Sequence, residues 1–424
     1  MWRFLKFLIF SIVIVSLSFG IYKFSDIYNL NLINKEIDWS VKSKNLKGAV
    51  SFDFDRDDNL YIAFTDKIKV IDKNNKEDVI IYDKTLKIYD IVCYNDDIIV
   101  ASDNRVLVYD VLKGEFTEII NNLPNNGLNY KTNIILEGEN LYVSIGSNTN
   151  SGVVDANNKV EDKASFEWIS TGIGYENNYG FTEYGKGIRG GQSIKESVLS
   201  NASILKYNLN TGKLVTYATG LRNVEGFAVD SNGNLISIVG GMEEVGVRAI
   251  KDDVDYIYDI KEKAWYGWPD FSGGDPITSP RFSDGNTELF FLIANHPTEV
   301  PLGPKYQHDK LAALKGLSID YEGKCFPKDT IIFGDNIDNC IYILVENSVP
   351  KAIITLDKKS YIEKIRYNNS SVYILDSKGG CLYKIQEEIN KNIVDLPNII
   401  WIFIIIFIIS IIMTLLYKIK INKK

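Results

Sequence analysis

Two adjacent polar residues, Arg222 and Asn223, open a strand-turn-strand segment in the run GLRNVEGFAVDSNGNLISIV and are the residues of this chain best suited to hold a ligand. A guanidinium presents a fork of N–H donors and a permanent positive charge, which suits a ligand bearing carboxylates. Glu225 adds a carboxylate to the same segment. Carriers of proton-transfer chemistry are few: the chain has 2 histidines, His296 and His308, both within NHPTEVPLGPKYQHDK. Either could act as a base, but two histidines cannot complete a three-histidine metal site, and with both in one loop a Ser-His-Asp or Cys-His arrangement is not credible. GKGIRGGQ (185–192) lacks the Gly-Lys-Ser/Thr ending of a phosphate loop. Asp53, Asp55 and Asp57 imitate the start of a calcium loop, but no glycine stands at the sixth position and strand residues follow, so they read as a hairpin turn. Trp265, Tyr266 and Trp268, in WYGWP (265–269), could stack on a sugar ring or pack a corner of the fold.

The elements that must position these residues are strands. FDFDRDDNLYIAF (52–64), IVCYNDDIIVAS (91–102), IILEGENLYVSIG (134–146), FAVDSNGNLISIV (227–239) and IRYNNSSVYILD (365–376) each join two apolar, β-branched or aromatic runs through a turn of Asp, Asn, Gly or Ser, which is a hairpin signature. Companion strands follow, such as KIKVIDK (67–73) and GCLYKIQ (380–386). The unit recurs every 40 to 47 residues or so, the period of a β-propeller blade. The fold expected is all-β: a six-bladed propeller over 48–388, interrupted at 147–200 by an irregular stretch rich in Gly, Asn and aromatics. A sandwich or a β-helix accounts less well for so long a period.

The ends read differently. The run 7–22 is uncharged and follows Arg3 and Lys6, as in a secretory signal or an uncleaved anchor, and the anchor is preferred because no small-residue cleavage site follows. Residues 399–417 are uncharged and close to the roughly 20 needed to cross a bilayer. The expected order is therefore an N-terminal anchor or signal (1–24), a linker (25–47), the propeller, a linker (389–398), a transmembrane helix (399–417) and a basic tail (418–424). By the positive-inside rule both termini are cytoplasmic and the propeller extracytoplasmic, at the cell membrane. The net charge of -8, with no basic stripe, argues against a nucleic-acid partner. Cys93, Cys325, Cys340 and Cys381 show no C-x-x-C spacing, which weakens a zinc site; Cys325 and Cys340 are the nearer pair for a disulfide, which geometry must decide.

Taken in order, LYVSIGSNTN (141–150), YATGLRNVEG (217–226), SNGNL (231–235) and WYGWP resemble the glucose/sorbosone dehydrogenase family, most strongly over residues 120–270. The resemblance implies a six-bladed propeller, often a quinoprotein that binds pyrroloquinoline quinone and calcium and oxidises sugars or other polyols. It places Arg222 and Asn223 against the cofactor at the mouth of the central channel. It places Asp252, Asp253, Asp255 and Asp259 on an acidic stretch leading into the calcium region; calcium takes about six to eight oxygen ligands. Three positions depart from the pattern. Glu225 stands where the family has Gln. LPNNGLNYKTN, with Leu128, Asn129 and Tyr130, has no histidine where the family keeps its catalytic base. FGDNIDN (333–339) is acidic where a basic residue is usual. An amide cannot take a proton near neutral pH, and general-base help is worth roughly a hundredfold to ten-thousandfold. Two functions are thus expected in parallel: a quinone-dependent oxidoreductase acting on sugars or related alcohols and aldehydes, or a catalytically inactive propeller binding a glycan or a protein.

Overall fold

The computed structural model describes residues 28, 30–283, 285, 288–387 and 409. The chain separates into a compact unit, Asn31–Glu387, and a terminal unit of which only residues 28, 30 and 409 are described. The two expected membrane segments, 7–22 and 399–417, fall outside the described residues apart from Ile409. Among the described residues no helix is long and apolar enough to cross a membrane.

The unit Asn31–Glu387 is a six-bladed β-propeller. The first blade orders Ala49–Phe54, Leu60–Phe64, Lys67–Ile71 and Glu77–Tyr82; the second orders Ile88–Tyr94, Asp97–Ser102, Arg105–Asp110 and Glu115–Ile120. The third uses Ile134–Glu137, Asn140–Ile145, Ser203–Asn208 and Leu214–Thr219, and the fourth Val224–Val229, Leu235–Val239, Tyr256–Ile260 and Tyr306–Gln307. The fifth holds Leu314–Asp320, Thr330–Asp335, Cys340–Leu344 and Lys351–Leu356. The sixth takes Ile362–Asn368, Ser371–Asp376 and Cys381–Glu387 from the end of the unit and Ile37–Lys44 from its beginning. The first strands touch one another in a closed ring around the central channel.

Ile37–Lys44 lies within the stretch assigned to a linker by sequence. It is instead the outer strand of the sixth blade, with Ile37 opposite Glu387 and Lys44 opposite Cys381. Closing the ring with strands from the two ends of the unit leaves no open sheet edge between first and last blade.

Burial explains the strand order. The second strands Leu60–Phe64, Leu235–Val239, Thr330–Asp335 and Ser371–Asp376 are buried at every residue, because each face of a blade packs on its neighbour. Outer strands such as Glu115–Ile120 meet solvent and carry charge. The turns follow side-chain chemistry: Asp55 accepts from Asp57 N–H and Asn59 N–H, both at 2.9 Å, and Asp230 repeats this with Asn232 (2.9 Å) and Asn234 (2.8 Å). Asp53 and Asp57 face Arg366 and Lys73 instead, so the three aspartates form no calcium loop.

The four cysteines are free thiols. Cys325 precedes and Cys340 follows the strand Thr330–Asp335, which at about 3.3 Å per residue holds them well beyond the roughly 7 Å a disulfide can bridge.

The 147–200 stretch joins the second and third strands of the third blade and builds a satellite core with the long connections of the fourth. Trp168, Trp265, Trp268, Phe271, Phe282 and Ile293 are buried in it. Trp265, Tyr266 and Trp268 therefore pack a corner and offer no ring face to a ligand.

Candidate functional site

Five of the six first strands carry a register shift near their start: at Ala49/Ser51, Ile88/Asp90, Val224/Gly226, Lys315/Leu317 and Ile362/Lys364. A bulge re-aims the side chain of the extra residue. The residues set apart this way include Tyr89, Glu225 and Glu363, so the channel mouth is where the sheet regularity is relaxed.

Arg222 reaches the mouth by a turn that only glycine fits. Gly220 has φ of 74°, and a Cβ there would lie 2.6 Å from Trp265. Arg222 is 5 % exposed, and each nitrogen of its guanidinium has an acceptor. Nε donates to the Asn150 carbonyl (3.1 Å) and Nη1 to the Gly241 carbonyl (2.6 Å), while Nη2 donates to Asn150 Oδ1 (3.1 Å) and Glu243 Oε1 (3.1 Å). Beside it Asn223 donates to Glu225, and Glu225 in turn pairs with Lys315. Burial alone would lower the Lys315 ammonium; Glu225 and Glu363 overcome it and hold its pKa above the usual lysine value. Burial raises Asp255 even though the N–H groups of Ala312, Ala313 and Leu314 donate to it. These residues line a cavity of about 200 Å³ together with Asn129, Glu243, Asn336 and Tyr361.

Arg222, Asn223 and Glu225 thus come together at the mouth, and Asn129 sits there from the segment that lacks the histidine. Asn129 Nδ2 donates to Ser147 Oγ at 2.9 Å. The histidine candidates are elsewhere. His296 stacks on Trp265 with ring centroids 5.3 Å apart and sets Nε2 3.0 Å from Asp270, inside the satellite core. His308 is buried between Tyr306 (3.0 Å) and Asp335 (3.2 Å). Neither lines the cavity. Both were candidate bases in sequence because they are the two histidines of the chain; the folding of their loop back onto aromatic residues and Asp335 is a tertiary event.

The acidic run does not converge either. Asp252 is exposed, Asp255 is capped by backbone, and Asp253 is buried under Met242 N–H (2.6 Å), Tyr256 hydroxyl (2.6 Å) and Ser272 hydroxyl (2.8 Å). Asp252 lies in a turn with φ of 51°, and Asp253 and Asp255 are each taken up by a different set of donors, which divides the carboxylates. Among the described residues no group of three or more His, Cys, Asp or Glu could hold a metal ion.

Sequence reasoning missed Lys315, Tyr361 and the loop holding Arg222. The signal for Lys315 was a charged residue inside the apolar strand run AALKGLSID. The Arg222 loop is itself anchored on Asp162, whose carboxyl burial pushes up to about 7 although Asn148 N–H, Thr149 N–H and the Thr149 hydroxyl donate to it.

No protein-family model matches the sequence, and no curated protein does. Solved structures share the fold. A calcium structure of a Trichoderma reesei carbohydrate-active enzyme superposes with TM-score 0.59 at 12% identity, over 85% of this chain and 98% of that one. The holo PQQ domain of Coprinopsis cinerea pyranose dehydrogenase gives TM-score 0.56 at 12% identity, over 85% and 97%. The PQQ-bound aldose sugar dehydrogenase of Streptomyces coelicolor gives 0.54 at 13%, over 84% and 99%. The chain is a propeller with the fold of these sugar dehydrogenases.

The residues at the mouth do not fit the quinone. Pyrroloquinoline quinone carries three carboxylates and needs unpaired cations. Every Arg222 donor group already has an acceptor, and Lys315 is neutralised by Glu225. Glu225, Glu243 and Asp255 outnumber the two cations in the lining. The cavity of about 200 Å³ is also smaller than the roughly 300 Å³ at which small-molecule pockets usually begin.

Proposed function

We propose that this chain is a sugar-dehydrogenase-type propeller without quinone chemistry, whose face around the channel mouth binds a glycan. The observation that supports it is the engagement of every Arg222 nitrogen by Asn150, Gly241 and Glu243, which turns the family's cofactor-facing residue into part of the wall. Titrating the full-length protein with pyrroloquinoline quinone and calcium by calorimetry is expected to give no binding heat, and sugars no dye reduction. A stoichiometric isotherm with sugar-dependent reduction would overturn this reading in favour of the second one. That second reading, a quinone-dependent oxidoreductase on sugars or related alcohols and aldehydes, is favoured by the fold shared with PQQ-bound structures and by Arg222 and Asn223 at the mouth.

The same proposal puts the chain at the cell membrane, tethered through 7–22 and 399–417, with both termini cytoplasmic and the propeller outside. It is supported by the charges of Arg3, Lys6, Lys418 and Lys420 flanking the apolar runs. Protease added to intact cells should cut the propeller and spare a C-terminal tag. Digestion of the propeller only after lysis would refute that placement.

A further inference from the structure

The loop 125–131 has two sides. Asn129 faces the channel mouth, while its neighbours Asn125, Asn126, Tyr130 and Lys131 line a separate groove of about 530 Å³ between the first two blades, with Lys87 and Tyr89 opposite. We propose that this groove is a binding subsite for a neutral pyranose ring of an oligosaccharide, held on the faces of Tyr89 and Tyr130 and by the amides beside them. The proposal rests on the glycan-binding reading and names where the sugar sits.

Three observations point to a sugar. The first is an aromatic platform: Tyr89 and Tyr130 lie with ring centroids 5.7 Å apart, inclined at 59°, and Tyr130 is 46% exposed. A pyranose has an apolar C–H face and a polar rim, and tyrosine matches both with a flat ring and a hydroxyl at little entropic cost.

The second is unmet hydrogen-bonding capacity. Neither phenol hydroxyl has a hydrogen-bond partner among the described residues. Burial, with Asp103 and Tyr130, pushes Tyr89 up to about 12, so its hydroxyl keeps its proton and can donate. Asn125 is buried and its Nδ2 serves the carbonyls of Asp103 and Tyr130, both at 2.8 Å, while Oδ1 is left without a partner. A buried acceptor with no donor is unfavourable unless something supplies one.

The third is charge. Lys87 pairs with Asp103 at 3.6 Å and Lys131 with Glu363 at 3.7 Å, so the two cations are balanced and nothing selects an anion. The volume lies within the roughly 300–1,000 Å³ of small-molecule pockets and admits one or two sugar rings.

The test is saturation-transfer NMR and titration of the full-length protein with cellotetraose, maltotetraose and chitotetraose. Tyr130→Ala is expected to weaken the bound sugar about tenfold, the equivalent of one aromatic platform. Tyr130→Phe and Tyr89→Phe should each weaken it about threefold by removing one hydroxyl. If Tyr130→Ala fails to fold, the two phenylalanine variants decide: a loss supports the subsite, and unchanged affinity in both overturns it. Binding lost in Glu225→Gln and untouched by all three tyrosine variants moves the sugar into the channel mouth, which overturns the subsite and leaves the glycan-binding reading standing. No binding of any of the three sugars by the parent chain overturns both.

Discussion

Asp270→Ala is expected to destabilise the propeller by about 3–5 kcal/mol, because it strands a buried guanidinium. Arg248 Nη2 lies 2.8 Å from Asp270 Oδ1, and both side chains are 0% exposed. Asp270 also accepts from Leu292 N–H and Ile293 N–H at 2.9 Å and faces His296 at 3.0 Å. Arg248 in turn donates to the carbonyls of Ser151, Pro269 and Phe290. The pair therefore ties the 147–200 stretch to the WYGWP corner. Ser151 follows Asn150, the residue that occupies Arg222, so the same network holds the wall of the channel mouth in place. Asp270→Asn keeps an acceptor for Leu292 and Ile293 and should lose less than Asp270→Ala. Urea unfolding of both variants, read as a change in midpoint at constant slope, checks this. A loss below about 1 kcal/mol for Asp270→Ala would show that water reaches Arg248 and that the satellite core is not the clamp described.

The fold was legible because its information is local and repeated. Each hairpin announces itself through Asp55 or Asp230 closing a turn on its own backbone, and a period of that kind admits few architectures. The strand Ile37–Lys44 was not legible, since its partner Cys381–Glu387 comes from the far end of the unit. The site divides in the same way. That Arg222 sits at a channel mouth was what the family resemblance implied, and Arg222 lines the cavity there. That each of its nitrogens is engaged could not be read: Asn150 is 72 residues away and Glu243 21, and Lys315 meets Glu225 across 90. The places of the histidines were hidden for the same reason, because a loop sequence does not reveal that it will fold onto Trp265 or Asp335. Asp252, Asp253 and Asp255 looked like one carboxylate cluster in one dimension and became three separate environments, because the donors that take up Asp253 and Asp255 come from distant parts of the chain.

Deeper in the channel, Asp90→Ala is expected to cost as much as the loss of Asp270, about 3–5 kcal/mol, while Lys364→Met costs clearly less. Asp90 is buried on the first strand of the second blade and gathers four blades onto one carboxylate. Ser51 Oγ donates from the first blade at 2.6 Å, Ile134 N–H from the third at 2.9 Å, and Lys364 Nζ from the sixth at 2.6 Å. Arg366 lies 3.8 Å away and bridges further, from Nε to the Phe52 carbonyl (2.9 Å) and from Nη2 to the Ile91 carbonyl (2.8 Å). Removing Asp90 leaves the buried Lys364 ammonium without its carboxylate and beside the half-buried Arg366; removing Lys364 leaves the carboxylate with Ser51, Ile134 and Arg366. The asymmetry is what separates a charge clamp from ordinary packing, which would make the two losses similar. It also fixes a pH dependence. Burial pushes the Asp90 carboxyl up, but Lys364 and Arg366 overcome it and hold the group below the usual aspartate value. The native state then binds fewer protons than the unfolded chain, so the stabilisation is complete above the unfolded value near about 3.9 and is lost as the pH falls toward the lower native one. Thermal unfolding followed from pH 6 to 3, values chosen to bracket that range, should fall more steeply for the parent than for Asp90→Asn, which carries no titrating carboxyl there. Parallel curves would mean that Asp90 is not the acid-sensitive joint of the ring.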